Sequence, residues 1–391
     1  MEITIHRGTH QIGGCVTEFS SGNDKVFIDF GEDLQSNVSA EPAKKIAGLT
    51  EADNSNSTLF FTHYHGDHVG RLREVKTEIP IYMGKTAKEL YKNYAVHTKS
   101  KIVEKIDAIR TFSPLEKITV GNITVTPLMI DHSAFDAYMF IVEADGKRVL
   151  HTGDFRLHGF RGNKTLQMVQ KYATDIDIII CEGTNLTRKD TKIITERDLQ
   201  NEARKIMQEN KYVFVLCSST NIDRIGAFYH ANPRGRLFIC DEYQKSQLEV
   251  VRENHSKYSG FYNFSHLYSY APNLDDRMEK QGFCMMIRQG KTFERLLKKY
   301  KGRSKVIYSM WCGYLKGETR NEKLAKFLEN YKLTYLHTSG HASTEDLIEL
   351  YNTVKPGTGL IPIHGEMPEK FAELMPNGNI IVLNDKEKLF L

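Results

Sequence analysis

Short apolar runs separated by polar turns dominate the chain up to about residue 185: Ile3 to Ile5, Lys25 to Phe30, Leu59 to Phe61, Ile79 to Tyr82, Ile123 to Ile130, Met139 to Glu143 and Lys147 to Leu150. Runs this short, some alternating and some continuously apolar, predict half-buried and buried strands of a β-rich sandwich. Asp145-Gly146 between two of them predicts a tight hairpin, because both residue types tolerate a left-handed backbone. Lys85 to Tyr94 and Leu166 to Tyr172 carry helical spacing and predict helices laid on the sandwich. From Thr195 the pattern changes to helix and buried strand in alternation: helix at Arg197 to Glu209, strand at Val213 to Cys217, helix at Ile222 to Ala231, strand at Leu237 to Cys240. Alternation of that kind predicts an α/β insert with a parallel sheet. After a further strand at Lys305 to Met310, the chain is expected to return to the first domain through Asn321 to Tyr331. The expected division is 1–190, 191–325 for the insert, and 326–391 for the return. No repeat or low-complexity segment is seen.

Composition narrows this picture only slightly. With 391 residues, 40% hydrophobic and 26% charged, the chain is an ordinary soluble globular one. The net charge of +4 announces no basic tail, so any polyanion site must be a local groove. The six cysteines are scattered without a C-x-x-C pair and mostly lie in apolar runs, as expected of reduced thiols in a cytoplasmic protein. Met1-Glu2-Ile3-Thr4-Ile5 reads as a strand rather than a signal peptide, and no apolar run is long enough for a bilayer, so no membrane is expected. Neither a phosphate-loop nor a dinucleotide-binding glycine pattern follows a strand, so nucleotide hydrolysis and dinucleotide redox chemistry have no support in the sequence.

The chemistry is announced by Thr62-His63-Tyr64-His65-Gly66-Asp67-His68, directly after the apolar run Leu59-Phe60-Phe61. Residues two apart in an extended chain point the same way, so His63 and His65 can converge on one ion. Gly66 lets the backbone turn, which would send Asp67 and His68 toward a neighbouring point. Imidazoles with carboxylates suit zinc or a similar divalent metal in a hydrolytic site, and two ions sharing the loop is the natural reading. One loop cannot close two coordination spheres. Further donors stand where other apolar runs stop: His132 after Ile130, Asp154 after Leu150, and His364 after Ile363.

Taken in order, Asp29 in Phe27-Ile28-Asp29-Phe30-Gly31, the His63/His65/Asp67/His68 loop, His132 and Asp154 resemble the motifs of the metallo-β-lactamase fold. Beyond Asp154 the chain is similar to its β-CASP nuclease branch. Glu182 in Cys181-Glu182-Gly183-Thr184-Asn185 resembles motif A, His341 in His337-Thr338-Ser339-Gly340-His341-Ala342-Ser343 resembles motif B, and His364 resembles motif C. The wording of motifs B and C, with Ser218-Ser219-Thr220-Asn221 between, is most similar to bacterial and archaeal ribonuclease J.

The resemblance implies an αββα metallo-β-lactamase sandwich with an inserted α/β β-CASP domain. It implies two divalent ions, zinc by expectation with manganese as the alternative: one held by His63, His65 and His132, the other by Asp67, His68 and His364, with Asp154 bridging. It gives Asp29 the role of orienting ligands, and Asp67, Glu182 and His341 the catalytic roles, with His341 as proton donor tuned by Glu182. The implied activity is hydrolysis of RNA phosphodiester bonds, by exonuclease action from the 5′ end, endonuclease action or both. RNA is favoured over DNA because DNA-acting relatives usually carry valine where His364 stands. The competing readings are a small-molecule metallo-hydrolase of thioesterase or lactonase type, a DNA-directed β-CASP nuclease, and a scaffold that has lost its metal. Ribonuclease J proteins usually continue past motif C into a C-terminal assembly domain, whereas this chain ends at Leu391, so a homodimer is left open.

Four residues are candidates for holding a substrate phosphate: Ser219 and Asn221 at a helix start, and Ser339 and Gly340 beside His341. Plain helix capping is the competing reading for the first pair. The aromatic run from Tyr258 to Tyr270 could stack bases or simply fill a core. The lysine-rich stretch Lys298 to Lys305 could steer a nucleic-acid backbone or be a solvated helix end.

Overall fold

The computed structural model describes residues 1–34, 44–188, 193–255, 259–317 and 319–391. The chain divides into two compact units, Met1–Asp190 with Gly340–Leu391, and Thr191–Ser339. No described helix is long and apolar enough to cross a membrane. The six cysteines are free thiols, five of them buried.

The first unit is built on two sheets. Along the chain come β1 (Glu2–Arg7), β2 (Val16–Ser21), β3 (Asp24–Ile28), β4 (Asn56–Phe60), β5 (Ile81–Gly84) and β6 (Arg110–Phe112). They are followed by β7 (Ile118–Val120), β8 (Ile123–Ile130), β9 (Ala137–Ala144), β10 (Lys147–His151) and β11 (Ile178–Glu182). The second unit supplies β12 (Tyr212–Leu216), β13 (Leu237–Cys240), β14 (Leu267–Ser269), β15 (Phe283–Ile287), β16 (Lys305–Tyr308) and β17 (Leu333–Tyr335). The chain then returns with β18 (Gly359–Ile363) and β19 (Lys388–Phe390).

One sheet runs β19-β1-β2-β3-β4-β5-β6 and the other β18-β11-β10-β9-β8-β7. Alternation puts Ile3, Phe19, Ile28 and Phe60 of the first against Val125, Phe140, Val142 and Ile180 of the second, forming the inner core. The outer face of the second sheet presents Leu128, Ile130, Leu150 and Ile179 to Val169 of the helix Gly162–Tyr172 and Leu347 and Leu350 of the helix Thr344–Val354. The helix Lys85–His97 buries Leu90 and Tyr91 and packs beside β5 and β6. The result is the αββα sandwich. Asp145 and Gly146 both take positive φ, 52° and 71°, in the β9–β10 hairpin, which makes it the tight turn the dipeptide predicts.

Topology decides where chemistry can sit. Strands β10, β11 and β18 are mutually parallel, and β8 runs the same way because β9 is antiparallel to both its neighbours. In the other sheet β3 and β4 are parallel, with Ile28 opposite Phe60. Segments leaving the C-terminal ends of parallel strands gather along one edge of a sheet, the usual place for binding loops.

The second unit is a six-stranded parallel sheet, order β14-β13-β15-β12-β16-β17, whose inner strands β12, β13 and β15 are continuously buried as two-sided parallel sheets require. Its extent corrects the expected boundary at residue 325. Leu324, Phe327 and Leu328 of the helix Glu322–Leu328 belong to its core, and β17 pairs in parallel with β16, so the unit ends at Ser339. Helical spacing at Asn321 to Tyr331 revealed the helix but not its owner.

Candidate metal centre

The first donors follow two neighbouring strand ends. The chain leaves β4 extended through His63 and His65, then turns at Gly66 by starting the short helix Gly66–Val69 rather than through a left-handed glycine. Glycine is required instead at Gly31, where an added Cβ would lie 1.5 Å from the Asp67 carbonyl oxygen; the loop after β3 passes directly against the histidine loop. Just before it Asp29 leaves the strand with φ 62°, an aspartate-tolerated left-handed conformation that ends β3 at Ile28. Its buried carboxylate accepts from Thr62 N (2.8 Å) and Thr62 Oγ1 (2.8 Å) and meets His68 Nδ1 at 2.8 Å.

Loops from β8, β10 and β18 bring the remaining donors. Ligand atoms of His63, His65 and His132 lie within 4.8 Å of one another, as do those of Asp67, His68, Asp154 and His364. A third set joins Asp154 and His364 to Glu182 and His341. Asp154 Oδ2 stands 3.1 Å from His68 Nε2 and 3.9 Å from His63 Nε2, linking the first two sets; Asp67 Oδ2 is 3.2 Å from His364 Nε2.

Neighbouring groups fix which nitrogen of each ring faces this cluster. His132 Nδ1 donates to the Gly340 carbonyl at 2.7 Å, His364 Nδ1 meets Thr184 Oγ1 at 2.8 Å, and His63 Nδ1 meets Thr62 Oγ1 at 3.0 Å. With His68 Nδ1 on Asp29, four rings are held by Nδ1 and offer Nε2. His65 is the exception, presenting Nδ1 3.3 Å from His132 Nε2. Holding one imidazole nitrogen so that the other carries a lone pair inward is how proteins orient metal-binding histidines.

The donor set fits divalent metal ions on physical grounds. His63 Nε2 and Asp154 Oδ1 are buried with no hydrogen-bond partner in a region otherwise well satisfied. Leaving such atoms without a ligand costs on the order of 1–3 kcal/mol each. Burial pushes the His63 and His132 imidazoles well below their ordinary range and His65 down to about 4, so all three are neutral lone-pair donors. For Asp154 burial works against ionisation, but His364, His68 and His341 outweigh it and hold the carboxyl well below its usual range. For His68 burial likewise opposes the charge, and Asp154, Asp29 and Asp67 outweigh it, raising the imidazolium well above normal. The cluster thus compensates its own buried carboxylates with protons that a cation can replace.

Beside the donors stands a carboxylate–imidazole pair. Glu182, at the end of β11, accepts from Phe155 N (2.9 Å) and Ala342 N (3.3 Å) and holds His341 Nδ1 at 3.0 Å; the same nitrogen is 3.5 Å from Asp154 Oδ2. Asn185 Nδ2 donates to the His341 and Ala342 carbonyls at 3.1 and 2.9 Å. Immediately after, Ser343 and Asp346 form a capping box that starts the helix Thr344–Val354. His341 therefore rides on a fixed helix entry and, with its side chain 17% exposed, is reachable from solvent.

Sequence reasoning missed several contributors. Thr62 and Thr184 lie beside recognised positions but carry no metal-binding atom pattern. Asp131 and Arg156 form a fully buried ion pair, Oδ1 to Nε 2.8 Å, and Arg156 N donates to the Asp131 carbonyl. The pair ties the His132 loop to the Asp154 loop. Asp131 directly before His132 and Arg156 two residues after Asp154 are the sequence signal for it.

The four candidate phosphate-binding residues are placed differently. Gly340 has no room for a side chain, since a Cβ would meet Ser133 Oγ at 2.4 Å, and its carbonyl is engaged by His132. Ser339 is buried at the end of the second unit. Asn221 caps the helix Ile222–Ala231 by accepting from Arg224 N at 3.1 Å, and Ser219 Oγ meets Gln244 Nε2 at 3.3 Å, both within the second unit. In the aromatic run, Tyr262 and Phe264 are buried core, Tyr268 and Tyr270 are half-buried, and Tyr258 lies outside the described residues.

Comparison with known proteins gives this geometry a family. Residues 25–247, more than half of the chain, match the family described as the beta-lactamase superfamily domain. The chain belongs to the metallo-β-lactamase superfamily. Residues 330–381 match a second family, the Zn-dependent metallo-hydrolase RNA specificity domain, which marks the β-CASP branch of the superfamily. Among curated proteins the chain is similar to ribonuclease J of Mycoplasma genitalium, 23% identical with 87% of this chain and 65% of the relative covered. It is similar also to ribonuclease J of Sinorhizobium meliloti, 23% identical over 82% and 60%, and to cleavage and polyadenylation specificity factor 73 of Drosophila melanogaster, 22% identical over 88% and 57%. The chain thus spans less than two thirds of the length of these relatives. In fold it matches a crystal structure of a protein of unknown function from Enterococcus faecalis V583, with a TM-score of 0.82, 20% identity, and 100% and 99% of the two chains covered.

Proposed function

We propose that this metallo-β-lactamase superfamily member is a two-metal ribonuclease that hydrolyses RNA phosphodiester bonds. The observation that carries the reading is the meeting of the two donor sets at Asp154, with Glu182 and His341 set against the same carboxylate. His63, His65 and His132 would hold one ion, Asp67, His68 and His364 the other, with Asp154 shared; zinc is the favoured metal and manganese the alternative. When bound, such a pair of cations supplies a water acidified toward neutral pH and relief of the negative charge on the phosphoryl oxygens.

The chain's own groups do the rest. Asp29 and Thr184 hold His68 and His364 in the orientation that offers Nε2. Glu182 engages His341 Nδ1, which leaves Nε2 to give a proton to the departing ribose oxygen. Asn185 anchors the backbone on which His341 sits. Asp67, assigned to the second ion in this scheme, would help to position the attacking water. Support for RNA as substrate comes from the RNA specificity match at residues 330–381 and from the ribonuclease names of several relatives.

The test is a time course on end-labelled RNA carrying 5′-triphosphate, 5′-monophosphate or 5′-hydroxyl ends, run beside a panel of thioesters and lactones. Metal-dependent RNA cleavage is the expected result, and mononucleotide release from one end alone would make the enzyme an exonuclease. Turnover of thioesters or lactones with intact RNA would replace this reading with a small-molecule hydrolase. Ser219→Ala with unequal loss on monophosphorylated and hydroxyl-ended RNA is the outcome expected if the Ser219–Asn221 turn holds an end phosphate.

A further inference from the structure

The charge of the chain is concentrated in one place. Between Asp275 and Lys305 stand ten lysines and arginines against four aspartates and glutamates, a net +6, whereas the whole chain carries +4. The remaining residues therefore sum to −2, and this stretch of the second unit supplies all of the net positive charge.

The structure gathers part of that charge on one helix face. The helix Lys291–Lys299 turns Phe293, Leu296 and Leu297 into the core and leaves Lys291, Arg295, Lys298 and Lys299 exposed. Positions 291, 295 and 298 are spaced i, i+4, i+7 and so share one face, rising about 10 Å along the axis. Beside it the helix Asp275–Gln281 is joined through Lys299–Asp275 at 2.9 Å and through Arg303–Glu279 at 3.1 Å. Two half-buried tyrosines complete the surface: Arg277 lies 4.9 Å over the Tyr268 ring and Arg295 5.7 Å over Tyr270, with Arg295 Nη2 donating to the Tyr270 hydroxyl at 2.8 Å. Asp275 and Glu279 are spent on neighbours and Asp276 and Glu294 stay exposed, while Lys280, Lys291 and Lys298 have no ion-pair partner among the described residues.

We propose that this basic face, centred on Lys291, Arg295 and Lys298, binds the phosphate backbone of single-stranded RNA without reading its sequence. Unpaired cations in a row, interleaved with aromatic rings already stacked on arginine, match what non-specific binding to single strands requires. A membrane surface fits less well, because no exposed large apolar residue lies between Tyr268 and Lys305 among the described residues. The choice of RNA rests on the function proposed above; the binding itself is measured apart from cleavage.

The experiment uses the full chain in excess chelator, so that RNA stays intact, and compares it with Lys280→Ala/Lys291→Ala/Lys298→Ala, whose exposed positions leave the fold alone. Binding of a labelled 30-nucleotide uridine RNA is followed across salt, with anionic vesicles and polyglutamate as parallel probes. Losing three phosphate contacts is expected to weaken binding about tenfold at 0.1 M salt and to flatten the log–log salt slope by about 2. Metal content and hydrolysis of bis(p-nitrophenyl) phosphate by the metal-loaded variant are expected to stay at the parent's level. Parental affinity and slope in the variant would overturn the proposal, as would a parent that binds vesicles or polyglutamate in preference to RNA. If the parent binds RNA through this face yet cleaves none, the cleavage reading falls and this one stands.

Discussion

Each unit buries a cluster of charged side chains, and the two clusters differ in what they leave unsatisfied. In the second unit Arg224 and Glu196 are both fully buried and use nearly all they have. Arg224 Nε and Nη2 bond the Glu196 carboxylate at 2.8–3.2 Å, Nη1 bonds Ser309, and Nη2 also donates to the Thr338 carbonyl. In the first unit His63 and Asp154 are equally buried, but His63 Nε2 and Asp154 Oδ1 have no hydrogen-bond partner. A buried charge that is fully bonded holds structure. A buried cluster whose bare atoms converge on common ground is built for something that arrives later.

The contrast can be broken most decisively at its two hubs. Asp154→Ala is expected to lower RNA cleavage by at least about a thousandfold, since it removes the carboxylate common to both donor sets. The metal-free variant should lose less stability than any break in the Arg224 network, as read by urea unfolding. Arg224→Met leaves Glu196 charged and unpaired in the core, and unfolding should become easier by about 3 kcal/mol. The double variant Arg224→Met/Glu196→Leu should recover much of that loss, and a double variant as unstable as the single one would contradict the account of that hub.

Smaller changes sharpen the same comparison. Asp29→Asn keeps a residue type that tolerates φ 62° but removes the carboxylate that holds His68, so metal affinity should fall about 10- to 100-fold with little change in folding. Isothermal titration with zinc would read this, and unaltered affinity would remove Asp29 from the site. The smallest effect is expected at Asp346, which accepts from Leu157 N at 2.9 Å and Ser343 N at 3.1 Å and meets His158 Nδ1 at 2.8 Å. Burial opposes its ionisation, but His158 and the backbone donors outweigh this and hold its carboxyl below the usual range. A depressed carboxyl stabilises the fold above the ordinary value near 4 and loses that contribution as pH falls through the lowered one. Asp346→Ala should therefore cost about 1 kcal/mol at neutral pH and flatten the stability profile only below about pH 4. An unchanged acid limb in urea titrations would contradict the assignment.

What the sequence disclosed and what it hid follow from the reach of local pattern. Donors such as His63, His132 and His364 were readable because each follows an apolar strand, and parallel strands with one hydrophobic period bring their ends together. The short connection at Asp145-Gly146 was equally readable. Asp131 with Arg156, and Arg224 with Glu196, were hidden because partners 25 and 28 residues apart leave no periodic mark. The junction at Ser339 was hidden for a related reason: the pairing of β17 with β16 is decided by the sheet, and no boundary signal precedes it. Asn221 reads from sequence either as a phosphate holder or as a helix cap, and its side chain does cap the helix Ile222–Ala231.

The most direct test of the central claim is a titration of metal-stripped protein with zinc or manganese while cleavage of end-labelled RNA is followed. The account predicts that cleavage appears with the second equivalent of metal per chain and vanishes on chelation. Full cleavage in excess chelator, or two bound equivalents with RNA left intact, would contradict it.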